Sequence, residues 1–131
     1  MVQVNAILSG KEYATIISST SGNTVIADES IASGGANGGF SPHELLAASL
    51  ASCTTITLRM YANHKKWDLS ALGVNVTLDY DTIELKNIFI CSITFSDTLS
   101  AEQRTRLLQI AERCPVHKIL AGTIQLKTIL G

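Results

Sequence analysis

The stretch Ser41 to Thr54 reads Ser-Pro-His-Glu-Leu-Leu-Ala-Ala-Ser-Leu-Ala-Ser-Cys-Thr, and it decides how the rest of the chain is arranged. Ser41 is a helix-capping residue, Pro42 suits the first helical position, and Glu44 completes a Ser-x-x-Glu capping box. From there to about His64 the sequence contains no glycine and no further proline. We therefore predict a helix of roughly 22 residues that spans about 33 Å.

This predicted helix is apolar on nearly every side. Glu44 in its first turn is the only charged residue before Arg59. A helix that is apolar all round is normally buried all round. One 131-residue domain can hardly enclose such a helix. We expect a sheet to cover one side and a second copy of the chain to cover the other, so the sequence predicts a homodimer.

Short segments with strand or helix patterns surround the long helix. Alternating or β-branched segments bounded by turn residues predict strands, and a second capping box at Ser100 predicts another helix. The order βββ-α-ββ-α-α-β indicates the α+β class, with an antiparallel meander at the start and helices on one side of the sheet. The predicted strands and later helices are Val2–Leu8, Tyr13–Ile17, Thr24–Asp28, Leu72–Tyr80, Asn87–Phe95, Ser100–Arg113, Pro115–Gly122 and Thr123–Ile129.

Composition excludes several classes of protein. Ten Lys and Arg against eleven Asp and Glu exclude a strongly basic nucleic-acid binder and an acidic disordered chain. No stretch reaches the roughly 18 apolar residues of a membrane span, and the start of the chain lacks a signal-peptide pattern. Three cysteines are too few for a disulfide-stapled secreted protein. We expect a single cytoplasmic domain, residues 1–131, that binds neither membrane nor nucleic acid.

A glycine-rich segment, residues 33–40, precedes the long helix and contains four of the nine glycines. It lacks the Lys-Ser/Thr ending of a phosphate-binding loop and the spacing of a dinucleotide fingerprint. We interpret it as a flexible loop, and we predict no cofactor.

The three cysteines are the main candidates for chemistry, although a free cysteine is most often a small buried hydrophobe. Cys53 lies within the apolar helix and Cys91 lies in a predicted strand, where a structural role is expected. Cys114 is the cap of the turn opened by Pro115, where backbone N–H groups favour a thiolate, and Arg113 adds positive charge. Without a CxxC motif, a Cys53–Cys114 redox pair would have to be made by the fold.

Two other chemistries have weaker support. Cys114 and His117 form half of a zinc-like cluster that Cys53 and either His43 or His64 would have to complete, so we predict no metal site. A serine hydrolase would need a G-x-S-x-G elbow, which the sequence lacks.

Two motifs resemble the OsmC/Ohr family of osmotically inducible and organic-hydroperoxide-resistance proteins. Ser41–Thr54 is similar to the family's P-x-E-L-L…A…(A/S)-C-T segment, and Ile110–His117 is similar to its A-x-x-C-P-(V/I)-(H/S) signature. The segments Thr57–Ala62 and Lys66–Trp67 resemble the general OsmC-like branch. The resemblance covers nearly the whole chain.

The resemblance implies antiparallel sheets wrapped around long central helices in an intertwined homodimer. It also implies thiol-dependent reduction of hydroperoxides, preferably organic ones, in protection against oxidative stress. Cys53 matches the peroxidatic cysteine, Cys114 the resolving cysteine, and Glu44 the active-site glutamate. An external dithiol would reduce the resulting disulfide.

The sequence departs from the family at one position. The family's peroxidases carry an arginine in the N-terminal strands, whereas the corresponding turn here reads Ser-Thr-Ser-Gly-Asn over residues 19–23. Without that cation we expect a raised pKa for Cys53, unless Arg113 or His117 substitutes. Two alternatives stay open, namely a non-peroxidase that binds a small apolar or electrophilic ligand at the dimer interface, and a structural domain with inert cysteines.

Helix geometry restricts how Glu44 could reach Cys53. Nine residues separate them, which places them on opposite faces of one helix and about 13.5 Å apart along its axis. They could meet if two copies of the helix packed antiparallel, so that Glu44 of one chain approached Cys53 of the other. Otherwise Glu44 serves only as a cap.

Overall fold

The computed structural model describes all 131 residues and divides into two compact units, Met1–Leu46 and Ala47–Gly131. Three α-helices and two antiparallel sheets confirm the predicted α+β class. The two units are described separately below.

The first unit contains the predicted meander. Strands β1 (Val4–Leu8), β2 (Thr15–Ser19) and β3 (Thr24–Ala27) pair antiparallel in the order β1-β2-β3. The turn between β2 and β3 contains Gly22, whose φ of 93° lies in the left-handed region that glycine adopts without strain. The meander prediction is therefore confirmed, with strand ends shifted by one or two residues.

The glycine-rich segment, interpreted from the sequence as a flexible loop, has a defined local structure because one buried carboxylate, that of Asp28, holds it. Asp28 accepts backbone N–H groups of Glu29 at 2.7 Å, Gly38 at 3.0 Å and Ala36 at 3.3 Å. These hydrogen bonds, with that from Gly38 foremost, hold the pKa of Asp28 below its usual value. A Cβ at Gly35 would lie 2.1 Å from the Glu29 carbonyl oxygen, so only glycine fits there. An acidic group at the centre of the segment argues against a phosphate cradle.

Helix α1 (Pro42–Lys65) begins as predicted. The Ser41 hydroxyl accepts the Glu44 N–H at 3.1 Å, and the Glu44 carboxylate accepts the Ser41 N–H at 2.9 Å. The capping box is therefore present, and it satisfies two backbone donors that would otherwise lack partners.

Within the single chain α1 is buried on one side only, as expected for a helix that one domain of this size cannot enclose. Its buried residues recur every four positions and form one stripe, whereas Ile56 is 54% exposed and Met60 is 68% exposed. One chain supplies enough packing layers for one face of the helix only. The members of this buried stripe are Leu50, Thr54, Leu58 and Ala62.

By length and apolar composition α1 is also long enough to cross a membrane, contrary to the sequence expectation. The core helix of a soluble protein meets the same two criteria, so this property alone is a weak indication.

The second unit contains a hairpin and two further helices. Strands β4 (Gly73–Asp81) and β5 (Lys86–Thr94) pair antiparallel, as predicted. Helix α2 (Ala101–Ala111) begins at the predicted capping box of Ser100 and Gln103, and α3 (Pro115–Ala121) follows. Apolar side chains of α2, of β5 and of the adjoining loops close over the C-terminal half of α1. The resulting core contains Leu58, Ala62, Leu69, Leu99, Leu107 and Ile110.

The predicted strand Thr123–Ile129 is absent. Residues 123–131 pair with no other segment of the chain, and they expose apolar side chains. A strand exists only where a neighbour completes its hydrogen bonds, and this chain offers no such neighbour. The exposed side chains of the segment are Ile124, Leu126, Ile129 and Leu130.

Candidate active site

Two helices bring Cys53 and Cys114 together in the second unit. Cys53 lies in the middle of α1 and is half-buried, whereas Cys114 is fully buried at the N-cap of α3. A tight turn connects α2 to α3, because the N–H of Cys114 bonds the Ala111 carbonyl at 3.2 Å and Pro115 then opens α3. Both cysteines are free thiols, and they lie close enough for each to shift the pKa of the other. The structure therefore brings together the cysteine pair considered from the sequence.

Hydrogen bonds lower the pKa of Cys53. Burial by itself raises the pKa of this thiol, but three donors outweigh burial: the Cys114 thiol, the Val116 backbone N–H and the Thr57 hydroxyl. No arginine side chain takes part. The expectation that a missing arginine raises this pKa is therefore wrong, because other donors stabilise the thiolate.

The pKa of Cys114 moves in the opposite direction. Burial raises it most, and the neighbouring Cys53 raises it further. The N–H groups of His117 and Val116 lower it without overcoming burial. The expectation that the N-cap makes Cys114 a thiolate is therefore wrong, because a completely buried sulfur is costly to ionise.

The result is an asymmetric thiol pair. Cys53 is the sulfur that ionises first, and Cys114 remains a protonated donor beside it. A thiolate is a nucleophile, and a neighbouring thiol can later displace a leaving group from the oxidised sulfur. This arrangement suits two-step thiol chemistry.

Glu44 lies in the first unit, and its carboxylate accepts the Ser41 N–H. Its observed contact is therefore the capping role, while both cysteines lie in the second unit.

Three basic residues of the second unit have partners other than the Cys53 sulfur. Arg59 donates to the Leu69 carbonyl at 3.2 Å. The positive charge of Arg113 helps to lower the pKa of Tyr61. His117 contributes its backbone N–H to Cys114. No side chain of Arg113 or His117 contributes to the lowered pKa of Cys53.

Cys91 lies apart from this pair, on β5 opposite Val76. It lines a largely apolar cavity of about 510 Å³ between α1, β5, α2 and α3. The other lining side chains include Leu50, Thr54, Phe89, Leu108, Glu112 and His117. No group of three or more His, Cys, Asp or Glu side chains is arranged to hold a metal ion.

Sequence reasoning missed Thr57 and the Val116 N–H as partners of Cys53. The signal for Thr57 was available, because residues four apart on a helix are neighbours on its surface. The Val116 contact depends on the packing of α3 beside α1, for which no local pattern exists.

Comparison with known proteins agrees with the fold and identifies the family. The model of the OsmC-like protein family matches residues 34–129, so the chain belongs to this family. The matched range contains both cysteine motifs. No curated protein matches the chain.

Solved structures share the fold at low sequence identity. A putative osmotic stress induced and detoxification response protein from Psychrobacter arcticus is 26% identical, with a TM-score of 0.77 over 91% of this chain and 88% of that one. An OsmC-like protein from Mycoplasma pneumoniae is 20% identical, with a TM-score of 0.78 over 93% and 88% of the two chains. The organic hydroperoxide resistance protein OhrB of Bacillus subtilis is 23% identical, with a TM-score of 0.63 over 93% and 91%.

Proposed function

We propose that this protein reduces hydroperoxides, preferably organic ones, through Cys53 and Cys114, and that it protects the cytoplasm against oxidative stress. The observation that carries the proposal is the contact of two free thiols whose pKa values shift in opposite directions. OhrB of Bacillus subtilis, which shares the fold, is named as an organic hydroperoxide resistance protein. The whole chain, residues 1–131, acts as one OsmC-like domain in this proposal.

In the first step the Cys53 thiolate attacks one oxygen of the peroxide bond. A sulfur–oxygen bond forms, the oxygen–oxygen bond breaks, and the alkoxide leaves and takes up a proton to become an alcohol. Cys53 is oxidised to a sulfenic acid and the peroxide is reduced by two electrons. The lowered pKa of Cys53 raises the fraction of reactive thiolate near neutral pH.

In the second step Cys114 attacks the Cys53 sulfur. A disulfide forms, the sulfur–oxygen bond breaks, and the hydroxyl leaves as water with the proton from Cys114. An external dithiol then reduces the disulfide and is itself oxidised. The two thiols lie close enough to shift each other's pKa, which supports a short path for this closure. The chemistry requires no cofactor.

The protein is proposed to act as a homodimer. Exposed apolar residues on α1 and on residues 123–131 need a cover that one chain does not supply. A second chain would also offer the strand partner that residues 123–129 lack. In an antiparallel pair of α1 helices, the partner subunit's Glu44 would approach Cys53.

Thiol titration tests this function. One equivalent of an organic hydroperoxide is added to the reduced protein, and free thiols are counted before and after. Two thiols lost per chain are expected for wild type and for Cys91→Ser, and none for Cys53→Ser. Unchanged thiols in the wild-type protein would reject the proposal.

The cavity beside Cys91 supports a second candidate function, the binding of a small apolar or electrophilic ligand. Its volume of about 510 Å³ and its apolar walls resemble those of small-molecule pockets. A ligand that copurifies in native mass spectrometry, together with thiols that peroxide leaves unchanged, would favour this alternative.

A further inference from the structure

One stripe of α1 carries Cys53, Thr57 and Tyr61 at intervals of four residues. Four residues advance a helix by about 6 Å and place side chains next to each other on its surface. All three residues of this thiol stripe are half-buried, between the buried stripe and the exposed side of the helix.

The direction of helical side chains places Thr57 over Cys53. Bonds from Cα to Cβ tilt towards the N-terminus of a helix, so each side chain covers the turn before it. For Thr57 that turn contains Cys53. A threonine hydroxyl in this position can reach either the carbonyl or the side chain of the residue four positions earlier.

The hydroxyl of Thr57 is not occupied by the backbone, unlike those of two neighbours on the same helix. Thr55 donates to the Ala51 carbonyl at 2.8 Å, and Ser52 donates to the Ser49 carbonyl at 3.1 Å. Thr57 makes no such bond to a carbonyl, so its hydroxyl is free to turn to the Cys53 side chain on the preceding turn, and it is among the groups that lower the pKa of Cys53.

We propose that Thr57 is a positioning residue, whose hydroxyl donates a hydrogen bond to the Cys53 sulfur and holds the ionised thiol towards the start of α3. The proposal rests on the proposed function only in naming Cys53 as the reactive thiol. Thr57 thereby supplies, from within the same helix, part of the stabilisation expected of the absent arginine.

The groups around the stripe define what else could influence Cys53. Cys114 at the start of α3 is the titratable group that faces it. At the far end of the stripe, Arg106 from α2 donates to the Tyr61 hydroxyl at 3.1 Å, and Lys65 lies 5.9 Å from the centre of the Tyr61 ring. The positive charge of Arg113 also helps to lower the pKa of Tyr61. These cations are grouped around Tyr61, whereas the Cys53 sulfur depends on uncharged donors.

The test measures the rate at which iodoacetamide alkylates Cys53 in the full-length protein, followed by peptide mass spectrometry between about pH 5 and pH 10. Thr57→Val removes the hydroxyl and keeps the shape of the side chain. We expect its alkylation midpoint to move to higher pH and its rate at neutral pH to fall about fivefold, because a hydrogen bond to a charged group is lost. Thr57→Ser restores a hydroxyl and should restore the wild-type profile.

Thr55→Val is the matched control, because the same atoms are removed from the same helix two residues away. Its profile should equal that of wild type. Thr57→Ala provides a second deletion of the hydroxyl in a strongly helix-forming residue, should the valine variant fold poorly. Circular dichroism checks the fold of each variant.

A wild-type profile in the folded variant that lacks the Thr57 hydroxyl would overturn the proposal. An equal shift in Thr55→Val would also overturn it, because the effect would then be general to the helix. Alkylation requires no peroxide, so failure here is distinguishable from failure of the proposed function in the thiol titration.

Discussion

The buried and exposed sides of α1 have similar apolar side chains but different surroundings. Leu58 is completely buried in the core of the second unit, whereas Met60, two residues later, is 68% exposed. The thiol stripe of Cys53, Thr57 and Tyr61 lies between these two sides. An apolar helix sequence therefore shows that a face must be buried. It does not show whether the same chain or a second chain buries that face.

The largest expected effect is on the buried side. Leu58→Ala should lower the free energy of unfolding by about 2–5 kcal/mol, because it removes packed atoms and leaves a cavity in the core. Denaturant unfolding measures the change. The same substitution at Leu108, which is 52% exposed, should cost less than about 1 kcal/mol. Equal losses would contradict the assignment of the core.

A charge on the exposed side tests whether a second chain covers it. Met60→Glu should weaken self-association about tenfold or more, because a carboxylate would lose its water in the proposed interface. Sedimentation equilibrium measures the dissociation constant. Thr105→Glu adds the same charge to an exposed position of α2 and should leave association unchanged. Unaltered association in Met60→Glu would place the interface elsewhere.

Cys114 lies beside Cys53 of the thiol stripe, between the two sides, and is one of the donors that lower the pKa of Cys53. Cys114→Ala should slow the alkylation of Cys53 at neutral pH about five- to tenfold, because the thiolate loses a hydrogen bond. Cys114→Ser retains a donor and should remain close to wild type. If the alanine and serine variants behave alike, the donor role of Cys114 is wrong.

The smallest effect is expected at Cys91, which is exposed on β5 and makes no contact that stabilises Cys53. Cys91→Ser should leave both the alkylation profile of Cys53 and the stability unchanged. The variant also simplifies the mapping of thiols. A changed Cys53 profile would mean that the cavity and the thiol pair are coupled.

Local sequence signals predicted much of the fold. The capping boxes at Ser41 and Ser100 mark where α1 and α2 begin, and Pro115 marks the start of α3. These predictions succeeded because a cap is a contact between residues three positions apart. The hairpin was equally readable, because its alternating pattern reports which face is buried.

Features that depend on residues far apart in the sequence could not be predicted from local patterns. The predicted strand Thr123–Ile129 has the right pattern but no partner strand within the chain. Both cysteine pKa directions were predicted wrongly, because they depend on the balance of burial and donors at the contact of α1 with α3. The sequence alone left the pairing of Cys53 with Cys114 as one possibility, and the family resemblance favoured it.

In the proposed mechanism the fold alone, without an arginine, makes Cys53 the thiolate and Cys114 the protonated thiol. The most direct measurement is the pH profile of alkylation at each cysteine of the reduced wild-type protein, resolved by peptide mass spectrometry. Because the pKa of Cys53 is lowered and that of Cys114 is raised, we expect Cys53 to react at clearly lower pH than Cys114. Coincident profiles, or Cys114 reacting first, would contradict it.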